Sequence, residues 1–374
     1  MLTAEGCIGR LGRVRRLMEE RKWDALLLTD SRNVRHLQSV VVDPGHPVLL
    51  WIERQGTPLL ATDSQEAPAR AEVVPFASYS AKRVLDRPWM EAVDALAPRL
   101  KGRSAPSIGT DKEASNGLAL GLLEDLFPAS TVRDASPELD DLRRRRDPDE
   151  IVVLKRIAAV AEAGYVRARE VLSPGRSELE VYIEIVSAMI ENAGEPIRVG
   201  GDFATGPRST TSGGPPVDRT LEAGDLSPYD LFPECWGYGA DLCRSLTVGP
   251  PSDLQQRGWE IVTAALELAE SLLEPGRPAR EAYETIRAFL ERDPLSAGTF
   301  WHHLGHGVGM GGHENPRLVP GSHHVLRLGD VISIEPGFYN PQLQGGLRIE
   351  NTYWLTENGP RRLNSHPTEL YLGG

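Results

Sequence analysis

Apolar residues recur along this chain at two spacings, and the change between them marks its parts. Residues 8–21 carry them every three or four positions, which predicts a helix with one buried face. The run DALLLTD, Asp24–Asp30, is short and almost unbroken, as a buried strand requires. Residues 47–63 read as two strands around a Gln55-Gly56 turn. A helix near Trp89–Leu100, a strand at PSIGTD and a helix near Gly117–Phe127 follow. This mixture predicts an α/β domain over residues 1–138.

Residues 139–374 read differently. Asp147 precedes Pro148 at the first position of a helix, and Ile151, Leu154, Ala158, Ala161 and Tyr165 continue at helical spacing. Ser177 with Glu180 makes a capping-box pattern for a helix that ends near Gly194. Two further helices are expected over Leu254–Leu273 and Ala279–Arg292, with strand-like segments at 221–248, 331–339 and 347–356. Helix pairs alternating with antiparallel strands give an α+β second domain.

Composition narrows the class. The chain has 374 residues, 40% hydrophobic and 25% charged, which fits a soluble globular protein. A net charge of −12 argues against nucleic acid or an anionic membrane as partner. The basic run Arg143–Arg146 is flanked by acids and reads as a solvated linker face. The N-terminus does not resemble a signal peptide, and no apolar run approaches the ~20 residues of a membrane span. Three cysteines make no disulfide framework, so a cytoplasmic location is expected.

The chemistry concentrates in WHHLGHGVGMGGHENP, Trp301–Pro316, which holds His302, His303, His306 and His313 among many glycines. Glycines around His306 let backbone approach closely, and they are expected to clear space for a substrate. In YDLFPECWGYGADLCRS, Asp230 and Asp241 would face each other across a hairpin that turns within 234–237. Glu335 ends a buried-type strand stopped by Pro336-Gly337. Glu350 lies in an alternating strand with Arg348, Thr352 and Trp354 on the same face. Taken singly, each acid reads as an ordinary surface residue. Together, four carboxylates and an imidazole form the usual donor set for two divalent cations about 3.5–4 Å apart.

The ordered set Asp230, Asp241, His306, Glu335 and Glu350 resembles the pita-bread metallopeptidases, in the aminopeptidase P, prolidase and creatinase branch. The segments HHLGHGVGMGGHENP, SIEPGFY and GGLRIENTYWLT carry the likeness, and RRLMEERKWDALLLTDSRNVRHL resembles the N-terminal domain of that branch. The resemblance implies an α+β fold: a C-terminal pita-bread domain preceded by an α/β creatinase-type domain. It implies two divalent ions, with Mn(II) the best match to the donors and Co, Zn or Fe as alternatives, a small peptide or amide substrate, and a homodimer. Asp241 and Glu350 would span both ions, Asp230 would bind one, and His306 and Glu335 the other. A hydroxide between the ions would attack a carbonyl. Glu335 would handle the water proton, His313 would bond the oxyanion, and His302 and Arg348 would lie toward the proline or leaving-group end. His303, His323 and His324 match no role and read as surface or satisfied-core residues.

The pattern breaks once. In TGPRSTTSGGPPVDR, Thr205–Arg219, Gly213 stands where the family's peptidases carry a further histidine. Loss of such an acid–base contact costs about 10²–10⁴-fold in rate. The expectations are an altered peptidase, a non-peptidase C–N hydrolase or lyase acting on a specialised metabolite, or a histidine (His36 or His46) lent by a partner subunit. A catalytically silent binding module is the remaining alternative, disfavoured by the complete ligand set. Ser227-Pro228 just before Asp230 is also unusual for a buried strand.

Overall fold

The structure is a computed structural model of the chain that describes residues 2–42, 45–80, 83–84, 87–211 and 213–372. It divides into two compact units, residues 1–143 with 147–150, and residues 144–146 with 151–374.

The first unit runs α1 (Ala4–Arg21), β1 (Ala25–Leu28), α2 (Ser31–Gln38), β2 (Leu49–Glu53), β3 (Leu59–Thr62), β4 (Glu72–Pro75), the short pair β5 (Tyr79–Ser80) and β6 (Arg83–Val84), α3 (Pro88–Leu100), β7 (Ser107–Thr110), α4 (Gly117–Leu126), β8 (Thr131–Asp134) and α5 (Ser136–Arg144). Six strands form one mixed sheet in the order β4-β3-β2-β1-β7-β8. Strand alternation splits the apolar run of β1 between two cores. Ala25 and Leu27 join Trp51, Leu96 and Leu122 on the α3–α4 face, whereas Leu26 and Leu28 join Leu11, Met18 and Leu139 on the α1 face.

The second unit contains α6 (Pro148–Val171), α7 (Glu178–Ala193), β9 (Arg198–Asp202), β10 (Leu226–Cys235), β11 (Tyr238–Gly239), β12 (Leu242–Thr247), α8 (Asp253–Ser271), α9 (Ala279–Leu290), β13 (Gly305–Gly307), β14 (Glu314–Leu318), β15 (Val331–Ile334), β16 (Gly337–Asn340), β17 (Gly345–Arg348), β18 (Asn351–Thr356) and β19 (Gly359–Arg362). Both halves of the Ser177–Glu180 capping box form, and Gly194 closes α7 in the left-handed conformation. One sheet is β11-β10-β12 with β9 on the other edge of β10; a second is β14-β13-β15-β18-β19; β16 and β17 pair separately. Helices α8 and α9 bury Val262, Leu266, Tyr283 and Ile286 against Ile332, Ile334, Phe338 and Leu347 of the strands. Among the described residues, no helix is long and apolar enough to cross a membrane.

Three expectations change here. The basic run is not a solvated face: Arg143, Arg144 and Arg146 are buried, and within the run only Arg145 is exposed. Each buried guanidinium has acceptors that the sequence places far away. Arg143 donates to Asn33 within the first unit. In the second unit, Arg144 donates to both Asp330 oxygens at 3.0 and 2.8 Å, and Arg146 donates to the Val308 carbonyl at 3.2 Å and to Glu314. The segment 347–356 is not one strand. It breaks at Ile349-Glu350, because β17 pairs with β16 while β18 pairs with β15. Pro228 is accommodated inside β10 because β9 pairs only from Asp230 to Glu234, leaving the edge beside Pro228 without a β9 partner.

Candidate metal centre

The five proposed ligands arrive from five different strands or strand ends of the second unit. Asp230 lies in β10, Asp241 just before β12, His306 at the middle of β13, Glu335 directly after β15, and Glu350 at the break between β17 and β18. Asp230 and Asp241 are not directly opposed. The register pairs Asp230 with Cys243 and Leu231 with Leu242. The hairpin turns at Trp236-Gly237, both with positive φ, so Asp241 is the diagonal neighbour of Asp230 on the same face. Even so, Asp230, Asp241 and Glu350 bring carboxylate oxygens within 4.8 Å of one another. His306, Glu335 and Glu350 form a second such group, and Asp241, His306 and His313 a third. Glu350 and Asp241 each belong to two groups.

The glycines beside His306 allow the close backbone approach expected of them, and Gly309 and Gly312 further along line the cavity. A β-carbon on Gly305 would stand 2.0 Å from the Ser333 carbonyl oxygen, and one on Gly307 2.2 Å from that of Asn315. They let β13 sit between β14 and β15 with His306 between them. The loop from His306 to His313 is then fixed by Glu314, which accepts from the Met310 amide at 2.9 Å and from Arg146.

His306 Nδ1 lies 3.0 Å from the Gly307 carbonyl oxygen, which can only accept. That makes Nδ1 the protonated nitrogen and turns Nε2 toward Asp241 Oδ2 at 3.2 Å and Glu335 Oε1 at 3.5 Å. Burial disfavours an imidazolium here, but Asp241 and Glu335 outweigh it and raise His306. Glu350 and Asp230 are pushed well above the carboxylate range. For both, burial is the main cause, and Asp241 adds repulsion; Arg348 opposes the rise at Asp230. Glu335 is the exception: burial would raise it, yet His303 and the neighbouring imidazoles bring it down to about 2.

These residues fit a pair of divalent ions. Asp230 Oδ1 and both oxygens of Glu350 are buried without a hydrogen-bond partner among the described residues. Orphaned buried carboxylate oxygens are costly unless a cation completes them.

Around the ligands lies a cavity of roughly 490 Å³, lined by Asp202, Phe232, Trp301, His302, His313 and Arg348 as well as ligand side chains. Half-buried His302 is depressed to about 4 by desolvation, and its buried Nε2 has no hydrogen-bond partner among the described residues. His313 sits at the rim with its ring centroid 3.9 Å from that of His306; partial burial and His306 bring it down to about 4. Arg348 is held on Asp230 at 2.6 Å, Asp202 at 2.9 Å and the Tyr339 hydroxyl at 2.8 Å. Arg348 therefore braces Asp230 directly, a contact the sequence did not indicate. His303 corrects the sequence reading. It lines the cavity with Nδ1 2.9 Å from Glu335 Oε1, and the density of imidazoles in this segment was the available signal. His323 is exposed and stacks on His324, away from the cavity lining. His36 is buried beside Glu150 and His46 pairs with Asp63 at 2.7 Å, all in the first unit. Asp202 was not read from the sequence at all; it reaches the cavity by pairing of β9 with β10 opposite Asp230, which leaves no local signal.

Comparison with known proteins agrees with this geometry. Residues 153–357 match metallopeptidase family M24, and residues 10–145 match the creatinase/prolidase N-terminal domain. The chain belongs to the M24 metallopeptidases and is a metal-dependent hydrolase of prolidase-like type. It is 34% identical over 256 residues to an Xaa-Pro dipeptidase of Pyrococcus furiosus, covering 68% of this chain and 73% of that protein. An uncharacterized peptidase of Bacillus subtilis, YqhT, is 28% identical over 97% of this chain and 99% of its own. The prolidase structure from Pyrococcus horikoshii OT3 superimposes with a TM-score of 0.80 at 26% identity, covering 97% of this chain and 99% of that one. M24 enzymes use divalent metal ions, in keeping with the ligand groups described above.

Proposed function

We propose that the second unit hydrolyses the amide bond of a small Xaa-Pro-like peptide at a dinuclear centre held by Asp230, Asp241, His306, Glu335 and Glu350. The observation that carries this reading is Glu350: a fully buried carboxylate, shared by two ligand groups, with neither oxygen hydrogen-bonded. Two divalent ions bound there would supply a nucleophilic water at neutral pH and polarise the scissile carbonyl. Four carboxylates with one imidazole suit Mn(II), with Co, Zn or Fe able to bind the same set.

The chain's own residues do the rest. Glu335, held ionised at about 2, is the acceptor for the proton of the attacking water. His313, neutral at the rim, donates to the oxyanion. Half-buried His302 offers its Nε2, which has no partner among the described residues, to the leaving-group end, and Arg348 orients Asp230. A homodimer accompanies the reading through the resemblance, and the three free cysteines favour a cytoplasmic setting.

Gly213 favours altered specificity over loss of activity, with a non-peptide amide as the second reading. Its φ is +135°, and a β-carbon there would meet Asp202 at 2.3 Å, so the position is built for glycine. The test is turnover of Xaa-Pro dipeptides and Xaa-Pro-Xaa tripeptides by protein reconstituted with Mn(II), alongside metal analysis. Two ions per chain and activity abolished by chelation are expected. Activity that survives metal removal sinks the proposal.

A further inference from the structure

We infer that Asp202 forms a subsite for a positively charged or N–H-bearing group of the substrate, so that this enzyme selects cationic peptide-like compounds. The inference rests on reading the cavity as the hydrolytic site.

Asp202 ends β9 directly opposite Asp230, so its carboxylate projects beside the ligand cluster on the same face. Its side chain is 27% exposed and lines the cavity. Oδ2 accepts from Arg348, which fixes the carboxylate in place; Oδ1 accepts no hydrogen bond among the described residues. Carboxylate oxygens accept hydrogen bonds, and charge-assisted ones are the strongest. The wall therefore presents an acceptor to whatever enters.

The charge balance of the remaining lining points the same way. The ligand carboxylates are matched by two dications in the proposed centre. Glu234 pairs with Arg198 at 3.1 Å, and Arg348 is shared between Asp230 and Asp202. Among the described lining residues the one guanidinium, Arg348, is already bonded to two carboxylates, whereas the Asp202 side chain stays partly exposed to the cavity. Two residues along β9, the Phe232 ring lies against Gly200, where a β-carbon would stand 2.2 Å from it. Carboxylate and aromatic face together suit an ammonium or guanidinium.

Gly213 is part of the same construction. A β-carbon there would sit 2.3 Å from Asp202 Cγ and 2.6 Å from Oδ2. A side chain at 213 and this placement of the Asp202 carboxylate exclude each other.

The test compares Ala-Pro with Lys-Pro and Glu-Pro, and Ala-Pro with Ala-(4-aminoproline), using the Mn(II)-loaded full chain, its Asp202→Asn variant and its Asp202→Glu variant. At least one cationic member should exceed its neutral counterpart by about tenfold in kcat/KM, carried mainly by KM. Asp202→Asn should abolish that preference while metal content stays at the wild-type value, and Asp202→Glu should restore part of it. If the cationic-to-neutral ratios of Asp202→Asn stay within about twofold of wild type, or if wild type prefers the neutral or anionic member throughout, the subsite is refuted. If wild type turns over no peptide, the reaction reading fails separately. Calorimetric binding of lysinamide against norleucinamide and of 4-aminoproline against proline then decides the subsite: discrimination lost in Asp202→Asn supports it, and equal binding overturns it.

Discussion

The chain folds two clusters of acids, and they behave in opposite ways. In the first unit, Asp147, Asp149 and Glu150 bring oxygens within 4.8 Å of one another, just as Asp230, Asp241 and Glu350 do in the second. Distance alone does not separate them. The difference is that the first cluster contains its own cation. Arg10, with its side chain fully buried, lies 3.2, 2.9 and 3.7 Å from the three acids, and Arg13 adds a contact to Asp147 at 2.7 Å. Burial would raise Asp149, but Arg10 and the Thr3 amide more than offset it and hold Asp149 below its usual value. In the second cluster Arg348 reaches Asp230 but makes no bond to Glu350, whose carboxylate is raised instead. An acidic cluster becomes a metal site when the fold leaves its charge unanswered.

The strongest way to break this comparison is a matched pair of neutral substitutions. Glu350→Gln should lower turnover by about 10³-fold or more and reduce the bound metal, read by elemental analysis, because an amide cannot bridge two cations. In chelated protein the same variant should melt no lower than wild type, since it removes a repelled charge. Asp149→Asn should do the reverse, keeping metal and activity while costing about 3 kcal/mol in denaturant unfolding, as when one partner of a buried pair is removed. Full metal content in Glu350→Gln would end the distinction.

A smaller effect is expected from Arg348→Lys. Lysine cannot hold Asp230, Asp202 and Tyr339 in one plane. Support of a ligand by its neighbours is worth about 10–100-fold in metal affinity. Competition with a fluorescent chelator should show that loss, and unchanged affinity would remove Arg348 as a positioning group.

The pH dependence is the mildest test. Asp230, Glu350 and His306 all have raised values in the metal-free fold. A raised group contributes stability below its unfolded value and loses it as pH rises through its folded value. Chelated protein should therefore lose stability above about pH 4 through the carboxylates, and above about pH 6.5 through His306. Metal must displace these protons, so affinity should climb with pH and binding should release protons. Calorimetry in buffers of different ionisation heat reads both, and proton uptake on binding would contradict the assignment.

The contrast also explains what could be read in advance. Local signals carried the helices: Ser177 with Glu180, and Pro148 after Asp147, act within a few residues. The convergence of Asp230, Asp241, His306, Glu335 and Glu350 was legible because their residue types and order are unusual together. Helix α2 was not, since Asn33, Arg35, His36 and Gln38 are buried polar residues that break the apolar period. Their burial depends on partners elsewhere, as with Asn33 bound by Arg143. The buried arginines 144 and 146 were hidden for the same reason, with acceptors at 330 and 314. Asp241's diagonal placement follows from where the hairpin turns, a register question that alternation of side chains leaves open.

The break at Ile349-Glu350 has an evolutionary consequence. Two residues there carry the chain from pairing with β16 to pairing with β15, and one of them is Glu350. Inserting or deleting a single residue would reverse the facing of one strand or the other, so length at this joint is not open to drift. A surface loop tolerates an added residue at little cost; here one added residue would turn Glu350 or a whole strand to the wrong face.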